Sequence, residues 1–150
     1  MHYLNSSRNR ASAVFVALMT LASIAISGAA EAMTKGRVGV ELNKLESVGD
    51  ACRAYLVLSN GAGVTLKSLK LDLVMFDLDG VVARRLAVEA APIAQGKTSI
   101  KVFDIAGMAC GGISRVLLNG VMSCADAKAK RDDCAALIQV SHRTKVPLFQ

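Results

Sequence analysis

Asp77 and Asp79 flank Leu78, directly after the apolar run Val74-Met75-Phe76 and directly before Gly80-Val81-Val82. Carboxylates at that spacing suit metal-assisted chemistry, because a bound cation shields their charge. They suit a tight turn equally well, since an Asp side chain bonds nearby backbone N–H groups and Gly accepts a positive φ. Met108-x-Cys110 and Met122-x-Cys124 set thioethers beside thiols, and His142 is the histidine that follows them; soft ligands of this kind hold Cu(I). Oxidised cysteines and methionines packed as core filler account for the same residues, and no metal or cofactor is expected. Gly96-Lys97-Thr98 resembles the end of a phosphate-binding loop, but Ala91 stands where the first glycine belongs and the segment leads into a strand. Arg84, Arg85 and Lys101 are expected to form a basic patch on the outer face of two strands, a candidate partner-binding face.

The elements that carry these residues read as strands. Leu69, Leu71, Leu73 and Met75 alternate with Lys70, Asp72, Val74 and Phe76, which is the period of a strand with one buried face. Asp79-Gly80 breaks the run and a second alternation follows, so Leu66–Asp77 and Val81–Glu89 read as a hairpin that turns at Asp77, Asp79 and Gly80. The same period places further strands over Arg37–Asn43, Cys52–Ser59, Ser99–Phe103 (apolar face Ile100 and Val102), Ile113–Ser123 and Ile138–Ser141. Ile113–Ser123 is apolar enough to be buried on both faces. Glu46–Asp50 reads as a polar turn, Asp126–Asp133 as a helical turn, and Arg143–Gln150 as a tail. Short strands at near-regular spacing imply an all-β, immunoglobulin-like antiparallel sandwich of about seven strands.

Residues 1–32 read as a signal peptide helix: Arg8 and Arg10, an apolar stretch over Ala11–Gly28, then Ala30-Glu31-Ala32 before a cleavage point at Met33, with Gly28-Ala29-Ala30 as a second candidate. Residues 33–150 then form a single domain, with no membrane span left after cleavage. Cys52, Cys110, Cys124 and Cys134 all follow the signal, and an even number in an exported chain implies two disulfides in an oxidising compartment, the periplasm. Three pairings are open to four cysteines. An antiparallel strand order brings Cys52 and Cys110 to one end and sets Cys124 against Cys134 across one loop, which favours Cys52–Cys110 and Cys124–Cys134. The formal charge of +6 is scattered and aromatics are scarce at 4%, so no nucleic-acid footprint is expected.

Two family resemblances bear on function. The run Val74–Val82 resembles the first motif of the haloacid dehalogenase-like phosphohydrolases, D-x-D-G-[TV] after an apolar strand. That resemblance implies a metal-dependent phosphohydrolase with Asp77 as nucleophile and Asp79 as general acid/base, Lys97 and Asp132-Asp133 being available for the later motifs. It also implies a parallel sheet wrapped by helices, whereas the residues after Gly80 read as a strand. The run Phe76–Val82, within Lys67–Asp104, resembles the FxLYD-type domains, small immunoglobulin-like modules of exported bacterial proteins, with Phe76 where Tyr is usual. The expectation is therefore an exported, non-enzymatic accessory protein that binds a protein or envelope partner. Phosphohydrolase and periplasmic copper handling are the alternatives.

Overall fold

The computed structural model describes residues 35–150. The expected signal peptide, with its cleavage point before Met33, lies outside the described residues. Eight strands form two sheets packed face to face: β1 (Val38–Val48), β2 (Ala51–Asn60), β3 (Leu66–Phe76), β4 (Val82–Glu89), β5 (Thr98–Ile105), β6 (Arg115–Asp126), β7 (Ile138–His142) and β8 (Leu148–Phe149). The first sheet has the order β5-β2-β1-β7 and the second β4-β3-β6-β8. Period-two alternation sends one set of side chains from each sheet into the shared interior. Val38, Val40, Leu42, Leu56 and Leu58 enter from one side and Leu69, Leu71, Leu73 and Met75 from the other, all essentially without solvent contact. Full burial of each such side chain stabilises by roughly 1.5–3 kcal/mol.

The sandwich is all-β, with differences from the expected strands that have local causes. It is not wholly antiparallel, because β7 runs parallel to β1 and β8 parallel to β6. β6 ends where β1 begins, and the Cys124–Cys134 bridge holds the chain there, so the next strand starts beside Val38. β1 continues through the expected turn at Glu46–Asp50. A bulge between Leu42 and Lys44 resets its alternation, Glu46 lies opposite Arg53, and the turn falls at Gly49, where φ is 58°. β6 is not buried on both faces. Val116, Leu118 and Cys124 point inward, while register shifts at Asn119 and Met122 turn those residues out; Met122 is exposed, not core filler. The helical turn is Cys134–Leu137, not Asp126–Asp133, and the expected tail contributes β8.

The loops at one end are tied together by Asn60, which is fully buried. Its Nδ2 donates to the carbonyls of Val64 at 2.8 Å and Ile93 at 2.9 Å, and its Oδ1 accepts from Ala62 N–H at 3.1 Å. One side chain thereby joins the β2–β3 and β4–β5 connections.

Candidate binding site

Asp77 Oδ1 accepts from the N–H groups of Asp79 at 3.0 Å and Val81 at 2.8 Å, and Gly80 has φ 79°. The carboxylate thus caps its own turn. Ser114 Oγ donates to the Asp77 carbonyl. Gly80 leads into β4, antiparallel to β3, so the motif sits in a hairpin and not in the parallel, helix-wrapped sheet that the phosphohydrolase resemblance implies. Lys97 is exposed beside Gly96, and Asp133 pairs with Arg131 inside the disulfide loop. Disulfides join Cys52 to Cys110, with Cα atoms 4.7 Å apart, and Cys124 to Cys134 at 6.3 Å, leaving no free thiol. Met108 is buried, Met122 lies on the outer surface, and His142 is exposed on β7. Neither thioether sits beside a free sulfur ligand.

The expected basic face is not one face. β4 and β5 belong to different sheets, so Arg84 and Arg85 do not share a sheet face with Lys101. Adjacent residues of a strand point to opposite sides. Arg84 turns toward the other sheet and donates to the carbonyls of Ala106 and Gly107. Arg85 turns outward and forms a bidentate pair with Asp72, both contacts at 2.8 Å, while Asn119 Nδ2 donates to the same carboxylate at 2.6 Å.

Asp72 is 5% exposed although it lies on the outer sheet face. The hydrogen bonds from Arg85, then from Asn119, hold its carboxyl well below the usual range, at about 2, against the opposing effect of burial. A folded-state pKa below that of the unfolded chain gives stability that is complete above about pH 4 and is lost as pH falls toward 2. Solvent around Arg85 discounts the contribution to about 1–2 kcal/mol. Asp72→Asn is expected to be less stable than the parent by that amount in urea unfolding at pH 7 and equal to it near pH 2. A gap that stays constant with pH would contradict this origin.

The feature that no motif signalled is the β5 edge. β5 closes one side of the first sheet, and two of its apolar residues, Ile100 and Val102, point away from the core. Ile100 is 65% exposed and Val102 43%, whereas Ile105 is buried and Phe103 packs on the core. The expected apolar face, Ile100 and Val102, is therefore the outer one. Across the ladder Ile100 lies opposite Val57 and Val102 opposite Tyr55, both half-buried on the same outer face. The charged residues beside this patch on the outer face of β1, β2 and β5 pair with one another. Arg53 grips Asp104 through two contacts at 2.7 and 3.0 Å, and each holds the other in its charged form. Tyr55 donates to Glu46 at 2.5 Å, lowering the Glu46 pKa and raising that of Tyr55, and Lys44 lies 5.1 Å over the Tyr55 ring.

The backbone phase makes this edge receptive. Asn60 N–H donates to the Lys97 carbonyl in the register of the β2–β5 ladder. Bonded pairs recur every second residue, so Ser99, Lys101, Phe103 and Ile105 bond to β2. Thr98, Ile100, Val102 and Asp104 turn their N–H and C=O groups to the open side. The residues that offer free backbone groups are thus the same ones that expose apolar side chains. The opposite pattern holds on β4. Ala90 N–H bonds to the Leu69 carbonyl, so Arg85, Ala87 and Glu89 hold the open-edge backbone positions, and none of the three offers a large apolar side chain. β8 has two residues, and β7 presents Gln139, Ser141 and His142, which are exposed. Among the described residues, β5 combines length, apolar outer side chains and free backbone groups.

No family model matches the chain, and no curated protein matches it. Among solved structures it is similar to IrmA from Escherichia coli, with a TM-score of 0.53 and 10% identity, over 69% of this chain and 90% of that chain. At that identity the likeness is one of fold, and it places the two-sheet sandwich beside a solved bacterial example.

Proposed function

We propose that this chain is an exported, non-enzymatic accessory protein that takes up an extended segment of a protein or envelope partner at the open edge of β5. The observation that carries the reading is the coincidence on Ile100 and Val102 of free backbone groups and exposed apolar side chains. Strand addition uses both: main-chain bonds supply affinity and alternate side chains supply specificity. Export to the periplasm follows from the signal-like residues 1–32. The two disulfides support it, since such bonds persist in oxidising compartments. Small exported sandwiches of the FxLYD type fit the same role.

Proline substitution tests the edge without dismantling the sheet. Pro lacks an N–H, and the Val102 N–H faces the open side. Val102→Pro is expected to keep the fold while removing capture of partner from an envelope extract at least about tenfold, the loss of one or two interface hydrogen bonds and strand geometry. Phe103→Pro removes an N–H bonded to β2 and is expected to destabilise the sheet itself. A folded Val102→Pro variant that retains every partner bound by the parent would overturn the reading.

A further inference from the structure

We propose that the segment taken up at β5 reads apolar–acidic–apolar, with its carboxylate set beside Lys101. The proposal rests on β5 being the binding edge and adds the chemistry of the partner. A strand added to an edge keeps its side chains in step with those of its neighbour, so face matches face. Partner positions beside Ile100 and Val102 join the outer face with Val57 and Tyr55 and must be apolar. The position between them falls on the other face, beside Lys101. The pattern is the same read in either direction, so it holds for parallel or antiparallel addition.

Charge decides the middle position. Asp104 is spent on Arg53, whereas Lys101 forms no ion pair among the described residues. Lys101 is half-buried on the inner side of β5, with exposed Lys97 just before the strand. β5 therefore presents unbalanced positive charge along an otherwise neutral edge. Opposite charges directly across a ladder attract and like charges repel. The same lysine disfavours a second copy of this chain in the register that pairs the most apolar surface. The symmetric antiparallel pairing that matches Ile100 with Val102 sets Lys101 against its own counterpart, and an inward charge on an edge strand is a known guard against self-pairing.

The test uses the mature protein and labelled extended peptides with a Val-X-Val centre flanked by threonines, where X is Glu, Gln or Lys. The Glu peptide is expected to bind about fivefold tighter than the Lys peptide, with amide shifts confined to β5 and its neighbour β2. Lys101→Glu should reverse the order, and Lys101→Gln, which keeps length and polarity, should remove the discrimination. Binding at β5 that is indifferent to X overturns the acidic assignment and leaves β5 as the binding edge. No binding, or binding elsewhere, overturns both. Self-association through β5 at the same concentrations would make a second copy the occupant and overturn the acidic assignment.

Discussion

Replacing Cys52 and Cys110 together with alanine is expected to lower the unfolding free energy by about 4 kcal/mol, against about 3 kcal/mol for the Cys124/Cys134 pair. The two bridges span 58 and 10 residues of sequence. In the loop-closure account, the longer loop removes more freedom from the unfolded chain. The longer bridge is also the better placed. Cys52 is fully buried at the start of β2, and Cys110 belongs to the short 3-10 turn Cys110–Gly112 that precedes β6. The bond thus pins the connection between the two sheets. A domain of this size has a total stability of roughly 5–15 kcal/mol. The loss is therefore a large part of the whole, and reducing conditions are expected to leave much of the protein unfolded. Urea unfolding of both double variants at neutral pH measures the ranking, and a larger loss from the Cys124/Cys134 pair would reverse it.

The second large effect is expected at Asn60. Asn60→Ala removes the bonds that this buried side chain donates to the Val64 and Ile93 carbonyls, with a longer one to Ala94, and the one it accepts, and leaves the Val64 carbonyl and the Ala62 N–H without that partner. Unsatisfied buried groups cost about 1–3 kcal/mol each, so a loss of about 3 kcal/mol is expected. Asn60→Asp separates hydrogen bonding from volume. It keeps the shape and the acceptor for Ala62 but turns a carboxylate oxygen toward the Val64 and Ile93 carbonyls. It is expected to be at least as unstable as Asn60→Ala at pH 7 and to recover as pH falls and the carboxyl gains a proton. Equal stability of parent and Asn60→Ala in urea would show that the two loops are held some other way.

These two sites also mark how much was readable from residues alone. The disulfide pairing followed from strand order, because alternation located Cys52 at the opening of one strand and Cys110 just before another. The Asp77–Gly80 turn followed from residue chemistry, since few types accept the conformation that Gly80 adopts. Asn60 reads as turn chemistry in sequence, and nothing local reveals that the turn is buried by a loop more than thirty residues away. The β5 edge was hidden for a different reason. Ser99–Ile105 carries apolar residues at both parities, Ile100 and Val102 against Phe103 and Ile105. Period two separates the faces without saying which one meets the core. That choice is made by the neighbouring strand: Ile105 pairs with buried Cys52, and Ile100 with half-buried Val57. The basic patch failed on sheet membership, because consecutive strands β4 and β5 lie in different sheets. Bulges account for Met122 and Asn119, each of which is displaced outward by an extra residue that periodicity does not register.

Amide hydrogen exchange along β5 tests the binding edge most directly. In the free protein Ser99, Lys101, Phe103 and Ile105 should exchange slowly through their bonds to β2, while Ile100, Val102 and Asp104 exchange fast. Adding the Glu-centred peptide should slow Ile100, Val102 and Asp104 and leave the first set unchanged. Amides at Ile100 and Val102 that are already protected in the free protein, or that stay fast at saturating peptide, would contradict the account.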